Sequence, residues 1–174
     1  MKKSAPPKPA PKSAAEIAKR DAAALARVAV MDDPDGLRNL MANAKRMGVE
    51  PVRTAAFRRL AAVQSEGAEG SVENATWQMV HAVEQIRREA AGKAVPLTQL
   101  RREIAKVGAG TAIGRLVVKP GPSERFDELI GRGEPSLTAE AIVLAHPDDF
   151  DAETRAAATA RLEAAGMDPA AMAP

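Results

Sequence analysis

Lysines and arginines are the residues of this sequence whose type and spacing suggest a chemical task. Residues 38–119 contain fourteen Lys and Arg against seven Asp and Glu, whereas residues 120–174 contain four against eleven. The net charge of only +2 therefore hides a basic segment followed by an acidic one. Clustered cations attract phosphate groups or acidic partners. We expect the basic segment to bind DNA phosphates or an acidic partner.

Nine cations are the candidates for contact with DNA. Their charges would neutralise backbone phosphates, and any base reading would come from the segment after Gly108. Stacking on single strands is not expected from a chain with only three Phe, one Trp and no Tyr. The candidate phosphate ligands are Arg58, Arg59, Arg87, Arg88, Arg101, Arg102, Lys106, Arg115 and Lys119.

The residues that commonly perform catalysis form no constellation in this sequence. His81 and His146 are the two histidines, and neither belongs to an H-E-x-x-H motif. His81 and Glu84 are three positions apart, but the second Glu-x-x-His pair of a helical metal site is missing. Cysteine is absent, which excludes thiolate ligands and a thiol nucleophile. We therefore predict a protein that is not an enzyme and needs no metal or cofactor.

Two short patterns suggest other functions. His146-Pro147-Asp148 lies between two predicted helices and resembles the signature loop of J-domain co-chaperones. J-domains have a basic helix before this loop, whereas residues 137–145 contain no Lys or Arg. Capping of two helices by Pro147 and a following Asp is the favoured interpretation. Glycines 108, 110 and 114 follow a predicted helix and not the strand that a dinucleotide-binding loop requires, so a turn is favoured there.

Residues 97–118 can also be read as a helix-turn-helix. Gly108 would lie in the turn, and Thr111, Arg115 and Lys119 would lie on the second helix or at its end. The match is weak, because Ile104 occupies a position that usually holds a small residue and Gly114 one that usually holds an apolar anchor.

Trp77 suggests an alternative function. It lies about 140° from the centre of its own helix's apolar stripe, if successive residues are 100° apart. Either another helix of the same domain covers this second face, or the face binds a partner through Trp77, His81 and Arg88. In the second case the chain would be an adaptor or inhibitor, with specificity supplied by its acidic C-terminal third. A third interpretation is that the two charge sets pair within the fold.

Helical periodicity and end signals predict an all-α protein of about eight short helices. We expect residues 1–12 to form a disordered Lys/Pro/Ala arm and residues 13–174 to form one helical domain. Ser13 and Glu16 predict a capping box, and Ser71 and Gly92 predict the ends of the longest helix. Helices are also expected to start at Leu37 and Pro96 and to cover residues 136–145. Residues 111–119 fit a helix or a strand, and the helix is favoured.

The expected location is the cytoplasm. The sequence has no cysteine, no apolar run of about 20 residues and no signal-peptide core. The leading prediction is a DNA-associated regulator or accessory protein, without a membrane partner.

Overall fold

The computed structural model describes residues 13–173, and this part of the chain is all-α, as predicted. It contains nine α-helices where about eight were expected: α1 (Ala14–Val30), α2 (Pro34–Met47), α3 (Glu50–Gln64), α4 (Val72–Ala91), α5 (Thr98–Val107), α6 (Ala109–Val117), α7 (Glu124–Arg132), α8 (Ala139–Ala145) and α9 (Ala152–Ala164). Three short 3₁₀ turns cover Pro135–Leu137, Pro147–Asp149 and Pro169–Ala171. The predicted disordered arm, residues 1–12, lies outside the described residues.

The chain divides into two compact units, with the division between Arg59 and Leu60, inside α3. The described part of the first unit contains α1, α2 and the first ten residues of α3, and its buried side chains include Leu37, Met41 and Phe57. The second unit contains the rest of α3 and all the later helices. The expectation of a single domain over residues 13–174 stays a prediction.

Local capping signals place most helix ends where the sequence indicates. Glu16 donates its backbone N–H to the Ser13 hydroxyl at 3.3 Å, and Ser13 N–H reaches the Glu16 carboxylate at 2.7 Å, which completes the predicted capping box. The Ser71 hydroxyl accepts the Asn74 N–H at 3.1 Å, at the start of α4. Gly92 ends α4 with φ of 69°, a left-handed conformation that favours glycine.

Three predicted boundaries were wrong. α2 begins at Pro34 and not Leu37, because the Asp33 carboxylate caps the backbone N–H of Gly36 at 2.9 Å. α5 begins at Thr98 and not at Pro96. Residues 136–145 are not one helix, because Thr138 has extended backbone and caps α8 separately. Residues 111–119 are helical up to Val117, as favoured.

α4 is the central helix of the second unit. It packs against α6, α7 and α8, while α8 packs on α9 and α5 packs on α6. Its buried side chains include Met79 and Val83 on the predicted apolar stripe, together with Trp77 and Val80 on the second face. The part of the second face that contains Trp77 and Val80 is therefore buried within the chain itself.

Candidate nucleic-acid interface

α5 and α6 form a tight helical hairpin joined by one residue, Gly108. This glycine has φ of 84°, a conformation that side chains disfavour, and α6 begins at the next residue. Leu100 and Ile104 are buried on one side of α5, and Ala112 and Ile113 are buried on one side of α6. The two helices predicted around Gly108 are thus present, and each keeps an outer side exposed.

The outer side of α5 presents Arg102 and Lys106, one helical turn apart. Both side chains are exposed, and neither has a hydrogen bond or ion pair with any residue of the described chain. Glu103 lies between them in sequence and forms an ion pair with Arg115 of α6. This pair brings Arg115 next to the outer side of α5.

Lys119 extends the same basic surface just beyond the end of α6. Its side chain is exposed and has no partner within residues 13–173, while its backbone carbonyl accepts a hydrogen bond from Arg161 Nη2 at 2.7 Å. Arg161 also donates to the Val117 carbonyl at 2.9 Å, which fixes the end of α6. We call the surface formed by Arg102, Lys106, Arg115 and Lys119 the α5–α6 face.

Arg101 is adjacent to Arg102 in sequence but has a different environment. Its Nε and Nη2 donate to both oxygens of Glu84, at 2.8 and 2.7 Å. Its guanidinium also lies over the Trp77 ring, 5.1 Å from the centroid, where a cation is attracted by the aromatic face. Glu84 accepts a third hydrogen bond from the Leu97 N–H at 2.8 Å. Arg101 thus joins α5 to α4, and a phosphate would have to compete with Glu84 for it.

Two groups in the Trp77 environment, Glu84 and His81, have lowered pKa values. Burial raises the pKa of Glu84, but the hydrogen bonds from Arg101 and Leu97 outweigh this effect and leave the pKa below its ordinary value. Burial lowers the pKa of His81, and the nearby Arg101 charge lowers it further. His81 also contacts Trp77, with ring centroids 6.1 Å apart.

The three residues of the predicted partner site, Trp77, His81 and Arg88, differ in exposure. Trp77 is only 9% exposed, and His81 lies beside it on α4. Arg88 is exposed, without a side-chain partner in the described part of the chain. The burial of Trp77 favours intramolecular packing, the first of the two interpretations of this face.

The remaining predicted cations lie elsewhere. Arg87 binds Glu128 through Nε at 2.9 Å and approaches Glu124 at 3.5 Å, so here the basic segment meets the acidic third of the chain. Arg58 and Arg59 belong to the first unit, where Arg58 is exposed and Arg59 Nε donates to the Met31 carbonyl at 2.8 Å. Four of the nine predicted phosphate ligands thus lie on α5, on α6 or just after α6.

The described residues provide neither a membrane-spanning helix nor a metal cluster. Within residues 13–173, no helix is long and apolar enough to cross a membrane. The same residues contain no cluster of three His, Asp or Glu side chains placed to hold a metal ion. No protein-family model, curated protein or solved structure matches the chain.

Proposed function

We propose that this chain is a non-enzymatic, DNA-associated regulator or accessory protein that binds the phosphate backbone through the α5–α6 face. The observation that supports this proposal is the exposure of Arg102, Lys106 and Lys119 on one helical hairpin, without a carboxylate partner in the described chain. Unpaired cations can neutralise phosphates without first breaking an ion pair. The cytoplasmic location expected from the sequence is part of this proposal.

The small number of available cations defines the kind of binding that we expect. Three unpaired cations, with Arg115 as a fourth if it leaves Glu103, neutralise few phosphates. Such binding is dominated by electrostatics, depends little on sequence, and has dissociation constants of about 10⁻⁴ to 10⁻⁶ M at physiological salt. We expect the protein to bind duplex DNA with little sequence preference and its affinity to fall steeply as the salt concentration rises.

Fluorescence anisotropy with a labelled duplex tests this proposal. The Arg102→Gln/Lys106→Gln variant should bind at least tenfold more weakly at low salt, because it removes two of the three unpaired cations of the α5–α6 face. The matched control is Lys19→Gln/Arg27→Gln, which removes the same charge from exposed positions on α1. Equal loss in both variants would show that only net charge matters and would contradict a role for the α5–α6 face.

The alternative function is an adaptor or inhibitor that binds a protein through Trp77. It requires the indole to be available, whereas Trp77 lies beneath Arg101 and is mostly buried. This geometry favours the nucleic-acid proposal. If the duplex does not bind even at low salt, the nucleic-acid proposal fails and the adaptor becomes the better hypothesis.

A further inference from the structure

A groove beside the α5–α6 face is lined by α4, α5, α6 and the start of α7. It consists of two depressions of about 450 and 310 Å³, and both are lined by Gln99, Leu100 and Arg125. Each depression has the volume of a small-molecule site. Because Arg125 lines both depressions, it lies where they meet, and it is the one charged residue among the three that they share.

Arg125 differs from the other arginines of this groove. Arg87 is paired with Glu128, and Arg115 is paired with Glu103. The Arg125 side chain has neither an ion pair nor a hydrogen bond within residues 13–173, and its Nε is fully buried without an acceptor. Because Arg125 also lines both depressions, a ligand in the groove can supply the counter-ion that the described chain lacks.

The electrostatic environment also favours an anion at Arg125. Burial lowers the pKa of this guanidinium, and the positive charge of Arg87 lowers it further. The charges of Glu124, Glu128 and Glu140 raise the pKa of Arg125, but by less than burial and Arg87 lower it.

A second cation without a partner lines the larger depression. This is Lys119, whose side chain is exposed. The two groups together present a charge of +2, whereas the charges of Arg87 and Arg115 are balanced by glutamates. A phosphate monoester carries close to two negative charges at neutral pH, and a carboxylate carries one. Guanidinium groups also match the oxygen geometry of phosphate.

We propose that this groove binds a small phosphate monoester, with Arg125 as the main contact and Lys119 as the second. Leu100 and Leu116 in the wall of the larger depression provide apolar surface for the organic part of such a ligand. The inference is independent of the nucleic-acid proposal, although Arg115 and Lys119 belong to both surfaces.

Titration of ¹⁵N-labelled protein with glycerol phosphate tests the inference, with the arginine Nε–Hε signals as readout and chloride used to hold ionic strength constant. We expect one such signal, absent from the spectrum of Arg125→Met, to shift saturably with a dissociation constant of about 1 mM or tighter. Arg125→Met should weaken binding at least tenfold, and acetate should bind more weakly than the phosphate ester. The Arg102→Gln control should bind the ester like the unchanged protein.

Two results would overturn the inference: no saturable shift in the unchanged protein, or equal binding by Arg125→Met. If Arg125→Met is not folded by circular dichroism, Lys119→Gln replaces it, because this exposed change should leave the fold intact and weaken binding severalfold. Failure of this site leaves duplex binding by Arg102 and Lys106 unaffected, so the two proposals can be refuted separately.

Discussion

Replacement of Arg161 by Met should destabilise the fold more than loss of any exposed ion pair. Arg161 Nη1 binds Glu140 Oε1 at 2.5 Å, and the two side chains are 11% and 2% exposed. The same guanidinium holds the Val117 and Lys119 carbonyls, so it links α9 to α8 and to the end of α6. Methionine keeps much of the apolar stem of the arginine side chain, so the replacement removes mainly the positive charge and the hydrogen-bond donors.

The expected loss follows from the burial of Glu140. Breaking a buried ion pair by removing one partner costs about 3–5 kcal/mol, because the remaining charge is left uncompensated. The Lys119 carbonyl adds little, since it lies at the surface and can bind water instead, whereas Val117 is fully buried and its carbonyl loses a donor. We therefore expect the free energy of unfolding, measured by urea denaturation with circular dichroism, to fall by about 3–5 kcal/mol.

Two further variants make this test specific. Arg115→Met breaks the exposed pair with Glu103, whose side chains are 57% and 38% exposed, and should cost less than about 1 kcal/mol. Arg161→Met/Glu140→Leu removes both charges and should recover most of the lost stability, because apolar replacements of a buried pair are often near neutral. A loss below about 1 kcal/mol for Arg161→Met alone would refute this reasoning.

Three other predictions concern the Trp77 environment. Trp77→Ala should destabilise the protein by about 3–5 kcal/mol, and the tryptophan emission of the unchanged protein should be blue-shifted and protected from quenchers; a red-shifted, quenchable emission would instead support the partner site. Stability should also decrease as the pH falls below about 6.5, because the lowered pKa of His81 means that the unfolded chain binds this proton first. His81→Gln should flatten that part of the pH profile of urea denaturation. The pKa of Glu84 is also lowered, so its protonation at lower pH should remove a further contribution to stability. This second decrease should be missing in Glu84→Gln. Unchanged pH profiles in the His81 and Glu84 variants would contradict the two assignments.

The helices could be predicted because their signals are local in the chain. Ser71 and Gly92 mark the ends of α4 through contacts with residues a few positions away. The start of α5 was missed because the sequence does not show that Leu97 N–H finds an acceptor in Glu84, thirteen residues earlier. Boundaries that depend on such distant partners require the tertiary structure.

The candidate site could be predicted only in part, for the same reason. Arg101 and Arg102 look equivalent in sequence, but the 100° rotation between them turns Arg101 towards Glu84 and Trp77 and Arg102 towards solvent. Arg125 was missed entirely, although one signal was available. It lies in the first turn of α7, where the helix dipole disfavours a cation. Whether such a cation has a counter-ion depends on the packing of other helices.

The salt dependence of duplex binding tests the role of the α5–α6 face most directly. Neutralisation of three or four phosphates predicts a slope of about −3 in a plot of log affinity against log salt concentration. The Arg102→Gln/Lys106→Gln variant should reduce the magnitude of this slope by about 2, whereas Lys19→Gln/Arg27→Gln should leave it unchanged. Binding that does not depend on salt, or a slope that is the same in all three proteins, would contradict the account.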